Sequence, residues 1–299
     1  MGAATPGGGS IAAADFEKAF ARHRVRARLV QVLGVLVFLG FMGGSAVIAQ
    51  VDLPHLIAGW PNISGFFTQF LPDLQAARLA EDVRTEGSLA YWFYDADKWA
   101  QSILTSINMA VLGTVLAVVS GLSLGLLSAR NLGVPGFVSF PVRRFLELLR
   151  TMPDLVLALI FVFAFGVGPL AGLLAIWLHA TGALGKLYAE VIENVSEAPI
   201  EGMRGAGASW LQTVRFGVIP QILPNVASYG LLRFEINVGA AAAIGFVGGG
   251  GIGHEFISAM QFGAYRDASA ILTMIIIVIF AVDFVSGRVR RRLIFGEAA

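Results

Sequence analysis

Three polar residues, Arg233, Glu235 and Asn237, interrupt an apolar stretch in the second half of the chain. A charged side chain at the centre of a bilayer costs roughly 2.5–3.5 kcal/mol on insertion scales, so each must face water or the protein interior. Arg233 and Asn237 are four residues apart and share a helix face, whereas Glu235 does not and needs a partner on another helix. The pattern predicts either a functional pathway through the protein or a charge pair that joins helices.

Three residues elsewhere are candidates to pair with Arg233 after folding: Glu147, Asp154 and His179. A metal site is not indicated, because the four histidines, at positions 23, 55, 179 and 254, are scattered and show no ligand spacing. The chain has no cysteine, which excludes disulfides, thiolate ligands and a cysteine nucleophile. We therefore expect neither a catalytic residue nor a bound metal.

A second candidate feature is the glycine-rich stretch Gly245–Gly253, which holds six glycines in nine residues. Such a backbone is able to pack closely or to open, so we expect Gly248, Gly249, Gly250 and Gly251 to form an outer gate. A phosphate-binding nest is the alternative, but no basic helix start follows the glycines. The run also lacks the Lys-Ser/Thr of a nucleotide-binding loop, so we expect no cofactor on this chain and place any ATP and Mg²⁺ on a separate ATPase.

The composition that surrounds these residues is that of an integral membrane protein. Of 299 residues, 56% are hydrophobic and 14% are charged, against roughly 25% charged in a soluble domain. Five apolar stretches have spanning length, and a sixth span would be a helix kinked at Pro153 that joins 144–152 to 155–167. The five are Leu29–Ile48, Ile103–Leu127, Pro169–Leu187, Val218–Val247 and Ala268–Val285. We expect an all-α fold with six transmembrane helices.

These stretches set the expected domain boundaries. We expect a cytoplasmic tail at 1–28 that begins as a mobile Gly/Ala/Pro-rich segment, a first span at 29–49, and an extracytoplasmic loop at 50–100. Within that loop, Leu56–Leu71 is expected to be a helix lying in the membrane interface. The transmembrane domain follows at 101–287, with a cytoplasmic loop at 188–217, and a cytoplasmic tail occupies 288–299.

The distribution of Lys and Arg predicts the orientation. With six spans and the N-terminus inside, the outer side keeps only Arg78, Arg84, Lys98 and Arg266. The cytoplasmic side then receives Lys18, Arg22, Arg24, Arg26, Arg28, Arg130, Arg143, Arg144, Arg150, Lys186, Arg204, Arg215, Arg288, Arg290, Arg291 and Arg292. The positive-inside rule therefore places both termini in the cytoplasm of a multi-pass cell-membrane protein.

The stretch Glu201–Pro220 is the longest polar-containing interruption between apolar segments in this half of the chain. Pro199 suits the first turn of a short helix, and Gly205 and Gly207 allow a tight bend after it. Ser209 and Gln212 have the spacing of a capping box, which predicts a second short helix to about Phe216. The pattern indicates a cytoplasmic surface that contacts another protein, with an ordered loop as the alternative. The segment lacks the basic footprint of nucleic-acid binding.

This stretch resembles the cytoplasmic-loop motif of ABC importer permeases. Glu201 stands at the motif's Glu, Gly207 at its glycine six residues later, and Ile219-Pro220 at its Leu-Pro end. The identities depart from the motif at Gly202 and Met203, where alanines are usual, and at Gly217, where an isoleucine is usual. These departures are similar to phosphonate-importer permeases of the PhnE type, a resemblance that covers roughly 100–290 and includes Ser228–Asn237, Gly245–Gly253 and Asp283–Arg288.

The resemblance implies a five-helix type I permease core and a set of partners. These would be a second copy of the chain, two cytoplasmic ATPase subunits, an extracytoplasmic phosphonate- or phosphate-binding protein and the lipid bilayer, with no nucleic acid. The loop residues implied in coupling to the ATPase are Glu201, Gly202, Gly205, Gly207, Ala208, Ser209 and Pro220. The implied substrates are phosphonates or related oxyanions; a permease for another solute such as methionine, or a stand-alone secondary transporter, is the alternative.

Overall fold

The computed structural model describes the backbone of residues 8–295 and the side chains of residues 20 and 23–292. Within this part of the chain there are helices and no strands, which confirms the all-α expectation. The helices are α1 (Gly8–Ile48), α2 (Leu53–Phe70), α3 (Leu89–Trp92), α4 (Ala96–Ser128), α5 (Gly136–Thr151), α6 (Asp154–Phe165), α7 (Pro169–Glu193), α8 (Glu197–Gly205), α9 (Trp210–Gln212), α10 (Ile219–Gly245), α11 (Ile252–Gln261) and α12 (Tyr265–Phe295). A π-helical segment, Thr213–Val218, joins α9 to α10.

The chain divides into two compact units, one up to Phe66 and one from Phe67 onwards. In the first unit, α1 is continuous from Gly8, so the expectation of a mobile tail is wrong for residues 8–28; residues 1–7 lie outside the described part. The arginines before the apolar stretch are good helix formers, which explains why the helix extends through them. The helix expected at Leu56–Leu71 is present as α2.

In the second unit, α7 is the central helix and packs against α4, α5, α6 and α10. Its contact with α4 is made backbone to backbone: a Cβ added to Gly121 would lie 3.1 Å from the amide nitrogen of Gly185. Small residues at such a crossing allow the close approach that stabilises helix pairs in membranes. Tyr188 of α7 is fully buried and donates a hydrogen bond to the carbonyl of Val226 in α10 at 3.1 Å.

The break between α5 and α6 falls at Pro153, where the sequence predicted a kink, and the pair is either one broken span or a re-entrant loop. The two helices meet at 91°, because Pro153 cannot continue α5 and caps the start of α6 instead. The backbone of Arg150, near the end of α5, lies against Gly182 of α7: a Cβ on that glycine would lie 2.5 Å from the Arg150 nitrogen.

The expected number of six spans is not confirmed by length and composition. Among the described residues, four helical segments are long and apolar enough to cross a membrane: His23–Ile48, Ala96–Ser128, Pro169–Glu193 and Tyr265–Arg292. The α5–α6 pair adds a fifth if it counts as one span. α10 has 27 residues, but Arg233, Glu235 and Asn237 make it less apolar than these helices. Length and composition therefore give four or five spans.

The helices at the two ends of the second unit extend beyond the expected boundaries. α4 begins at Ala96, ahead of residue 101, and α12 continues to Phe295, past residue 287. The segment before α4 is fastened to the start of α12, since Trp92 donates to the hydroxyl of Ser269 and Tyr94 to the carboxylate of Asp267, each at 3.0 Å. Burial, together with that hydrogen bond, raises the pKa of Tyr94.

Candidate coupling and translocation sites

The Gln221 side chain joins the start of the short helix α8 to the start of α10. The Gln221 amide donates to the carbonyl of Ser196 at 3.3 Å and to that of Gly217 at 2.6 Å, and its oxygen accepts from the Ser196 nitrogen at 3.0 Å. Ile200 is 2% exposed and packs in the core cluster formed with α7 and α10. Arg204 reaches the opposite side and donates to the carbonyl of Asn131, after α4, at 3.0 Å. α8 is therefore joined by hydrogen bonds to the segment after α4 and to the start of α10.

The turn after α8 has the geometry expected from the sequence. Gly207 has φ +77°, a left-handed conformation that favours glycine. The capping box is also confirmed: Ser209 accepts from the Gln212 nitrogen, and the Gln212 side chain accepts from the Ser209 nitrogen at 2.8 Å. The second helix does not end near Phe216, however, because α9 passes through the π-helical segment directly into α10. α9 and α10 are thus continuous, and the turn at Gly207 separates them from α8.

Most residues expected to contact an ATPase are exposed, and so are two apolar side chains that sequence reasoning had missed. Six of the seven are exposed and Ala208 is half-buried; the exposed ones are Glu201, Gly202, Gly205, Gly207, Ser209 and Pro220. Leu211 and Phe216 are 71% and 60% exposed. Apolar side chains left uncovered beside a polar helix are typical of a protein-binding surface. In the sequence, Leu211 and Phe216 could have been found as apolar residues that flank Thr213 and Val214, which are buried.

The three polar residues of α10 have different surroundings. Asn237 is 1% exposed and donates to Thr114 of α4 at 2.8 Å, so its side chain is part of the packing between two helices. Glu235 lies 3.8 Å from Arg290 of α12, which confirms that it needed a partner on another helix. The identity of that partner was not foreseen, since Arg290 had been placed in a tail.

Arg233 differs from both because no described residue pairs with it. It is half-buried, and its Nε atom is buried without a hydrogen-bond partner. Of the three candidate partners, Asp154 acts on it electrostatically. Glu147 instead pairs with Arg144 at 2.6 Å, and His179 contacts the Met152 carbonyl at 2.9 Å. Arg233 is therefore a cation in the middle of α10 with one distant carboxylate.

The glycine-rich stretch forms a closely packed joint where the ends of several helices meet. Gly248, Gly250 and Gly251 have φ of +92°, +77° and +72°. A Cβ on Gly250 would lie 2.8 Å from the nitrogen of Pro169, at the start of α7, and one on Gly251 would overlap the hydroxyl of Ser106 in α4. That hydroxyl accepts from the Ile252 nitrogen at 3.0 Å. In this conformation the proposed gate residues, including Gly249, are closely packed.

The sequence of this chain is similar to those of known transport proteins. Residues 121–295 match the family model described as "Binding-protein-dependent transport system inner membrane component". The phosphite transport system permease protein PtxC of Stutzerimonas stutzeri is 38% identical over 193 residues, which cover 64% of this chain and 70% of that protein. The phosphate-import permease protein PhnE of Mycolicibacterium smegmatis is 31% identical over 260 residues, or 85% of this chain and 46% of that protein.

The fold is similar to that of solved transporters. A chain of the methionine ABC transporter MetNI, in an inward-facing conformation, superposes with a TM-score of 0.56 at 21% identity and covers 65% of this chain and 95% of its own length. At this level of identity the likeness concerns the arrangement of helices.

Proposed function

This chain belongs to the family of binding-protein-dependent transport system inner membrane components, and we propose that it carries phosphite, phosphate or a related phosphonate. It is the permease subunit of an ATP-driven importer, a multi-pass protein of the inner membrane and a transport component rather than an enzyme. ATP hydrolysis belongs to a separate subunit of such importers. The substrate class is supported by the names of the relatives, which are phosphite and phosphate permeases.

The proposal rests on the surroundings of the Arg233 side chain. It stands near the middle of α10, half-buried, with a buried nitrogen that has no hydrogen-bond partner among the described residues. An anion crossing a low-dielectric interior needs a compensating positive charge, and a guanidinium is well suited to the oxygens of a phosphate-like group. Arg233 therefore neutralises the substrate during passage, while Glu235 is occupied by Arg290.

The proposed mechanism couples ATP hydrolysis to α10 through α8. The ATPase contacts the exposed face of the turn around Gly207 and Ser209 and displaces α8. Since the Gln221 side chain fastens α8 to α10, that displacement reaches the helix that carries Arg233. The cavity beside α10 would then alternate between inward-facing and outward-facing states, as alternating access requires.

The proposed assembly has two copies of the chain, two ATPase subunits inside and one solute-binding protein outside. Both termini lie in the cytoplasm. This placement is supported by the excess of Lys and Arg on the side of the subunit that holds α8 and the end of α12. The glycine joint between α10 and α11 faces the binding protein in this arrangement. Its closed packing corresponds to a state in which the outer side is shut.

The test is uptake in a strain that lacks its own phosphate, phosphite and phosphonate importers, with this permease expressed beside its ATPase and binding protein. Radiolabelled phosphate, phosphite and methylphosphonate are supplied separately, with labelled methionine as the competing class. Uptake of at least one oxyanion that depends on this chain is expected. Uptake of methionine alone would refute the substrate class.

A variant then tests the role of Arg233. Arg233→Gln should assemble normally, because its removal leaves no close ion-pair partner behind, yet oxyanion uptake should fall roughly tenfold or more with the loss of a charged hydrogen-bond donor. Arg292→Gln, at an exposed arginine near the end of α12, is the control that should retain uptake. Normal uptake by Arg233→Gln would exclude Arg233 from the pathway.

A further inference from the structure

A polar cavity of about 230 Å³ lies where two long apolar helices end. Ser128 is the last residue of α4 and Glu193 the last of α7, and both line the cavity together with residues of α5. Both helices are long and apolar enough to cross a membrane, so their ends lie close to the level of the lipid headgroups. The cavity is therefore at the boundary between hydrocarbon and water, on the side of the subunit that holds α8.

The charged side chains that line this cavity have a positive excess. Four are basic and three are acidic: Arg130, Arg143, Arg144, Lys186, Glu147, Glu190 and Glu193. One positive charge is thus left without a negative one to balance it. A cavity of this kind at the membrane surface is suited to an anion.

The pair Arg143 and Glu193 holds one side of the cavity in place. The two side chains are 2.8 Å apart, and the Nε atom of Arg143 donates to the carbonyl of Ser128 at 2.8 Å. Glu193 also accepts a hydrogen bond from the backbone nitrogen of Arg130 at 3.0 Å. These contacts join α5 to the ends of α4 and α7. The Glu193 carboxylate already has two donors, so it does not serve the other cations of the cavity.

The side chains of Arg130 and Lys186 have no partner of their own. Within the part of the chain that the structure describes, no ion pair or hydrogen bond reaches the guanidinium of Arg130 or the ammonium of Lys186. The remaining carboxylate is that of Glu190, one turn after Lys186 on α7, and it forms no ion pair with either cation. Two cations and one carboxylate are therefore left to meet a ligand.

The exposed face of α5 beside the cavity is apolar. Phe137, Phe140 and Leu148 are all exposed, and with Arg144 they follow the three- and four-residue spacing of one helix face. Arg144 belongs to both surfaces: it lines the cavity, and its guanidinium lies 5.5 Å from the centre of the Phe140 ring. Aromatic and leucine side chains beside arginines are typical of a helix that lies in the membrane interface. This face is therefore suited to contact with acyl chains.

We propose that the cavity binds the headgroup of an anionic phospholipid, whose acyl chains lie over Phe137 and Phe140. Arg130 and Lys186 hold the phosphodiester, and its single negative charge matches the positive excess of the cavity. Basic pockets between membrane helices on the cytoplasmic side bind lipid headgroups in this way. The lipid is a partner of the chain that is distinct from the transported solute, so the inference does not depend on which oxyanion is carried.

The experiment measures lipid binding to the purified complex of this permease with its ATPase and binding protein. Phosphatidylglycerol is added in detergent, and the bound fraction is read by native mass spectrometry, with phosphatidylcholine of the same acyl chains as the lipid without net charge. The unmodified complex should bind phosphatidylglycerol more tightly. Arg130→Gln and Lys186→Gln should each raise the apparent Kd for phosphatidylglycerol roughly tenfold, since a charged donor is lost. Arg292→Gln, which removes an exposed arginine near the end of α12, is the control and should leave this Kd unchanged.

Equal binding of the two lipids by the unmodified complex, or an unchanged Kd in both variants, would overturn the inference. Arg130 is exposed, so Arg130→Gln decides if Lys186→Gln does not assemble. Inorganic phosphate is the second probe: displacement of phosphatidylglycerol by phosphate at the same concentration would show a site for free phosphate and not for lipid. Loss of the ATPase from the variants with lipid binding unchanged would assign the two cations to that subunit. The uptake experiment tests the proposed function separately, because none of these outcomes concerns the solute.

Discussion

The side chain of Gln221 accepts a hydrogen bond from the backbone nitrogen of Ser196 and donates one to the carbonyl of the same residue, so α8 and α10 are joined by a two-way link. Gln221→Met keeps the shape but removes these bonds, each of which stabilises by about 1 kcal/mol. We expect ATP hydrolysis to continue while the substrate carried per ATP falls. Reconstituted uptake and hydrolysis measure this ratio, with the exposed Gln101→Met as control. An unchanged ratio would mean that α8 acts through other contacts.

Any side chain at Gly207 should reduce coupled uptake, and the loss should not depend on the size of that side chain. No atom lies within 4 Å of a Cβ placed there, so the penalty comes from φ +77° alone, roughly 1–2 kcal/mol. Gly207→Ala and Gly207→Leu should therefore reduce coupled uptake equally, and Gly207→Asn less. The control is Gly202→Ala, because Gly202 is helical and equally open, and alanine should stabilise α8 there. A larger loss for Leu than for Ala would show instead that a partner covers this position.

The closely packed joint at Gly245–Gly253 should be intolerant of a single added methyl group. A Cβ on Gly253 would overlap the carbonyl oxygen of Ala242, which is backbone and unable to move aside. Overpacking of this kind costs roughly 1–3 kcal/mol, so Gly253→Ala should lower the thermal unfolding temperature of the purified permease. Gly239→Ala, in open space on α10, is the matched control and should not. Equal stability of the two variants would contradict a closely packed joint.

The pair Glu235 and Arg290 should respond asymmetrically to mutation. The side chain of Glu235 is 11% exposed and that of Arg290 is 29% exposed. Arg290→Gln leaves a nearly buried carboxylate without its counter-charge, at a cost of roughly 1–3 kcal/mol, whereas Glu235→Gln releases a cation that can reach solvent. The double variant should recover the stability lost by Arg290→Gln. Thermal unfolding of the three variants measures this, and an absence of recovery would mean that the pair does not interact.

Single cysteines should report the orientation, since the natural chain contains none. Ala80, Pro135 and Gly205 are all exposed. A membrane-impermeant maleimide added to intact cells should label a cysteine at position 80, while positions 135 and 205 should be labelled after the membrane is opened. Labelling of position 205 from outside would reverse the proposed arrangement and remove α8 from the side of the ATPase.

Features set by neighbouring residues were predictable from the sequence. The capping box at Ser209 and Gln212 and the left-handed turn at Gly207 depend on residues a few positions apart, so their sequence signals are sufficient. The requirement of Glu235 for a partner on another helix followed from helix periodicity in the same way.

Features set by crossing helices were not predictable. Arg290 is 55 positions from Glu235, and nothing local indicated that α12 extends far enough to bring them together. The packing of the Arg150 backbone on Gly182 joins two different helices, and the 91° angle between α5 and α6 has no sequence signal beyond Pro153 itself. The π-helical segment before α10 likewise has no simple sequence signature, because its hydrogen bonding is fixed by how α8 packs on Gly217.

The joint at Gly245–Gly253 determines where this subunit can bend. With α4, α7, α10 and α11 meeting there without room for a methyl group, these helix ends are expected to stay together when the subunit changes conformation. A rotation about that point displaces each residue in proportion to its distance from it. Gln221 and α8, at the other end of α10, would then move furthest, and Arg233, halfway along the helix, about half as far. We therefore expect a displacement of α8 to reach Arg233 as a smaller shift of α10.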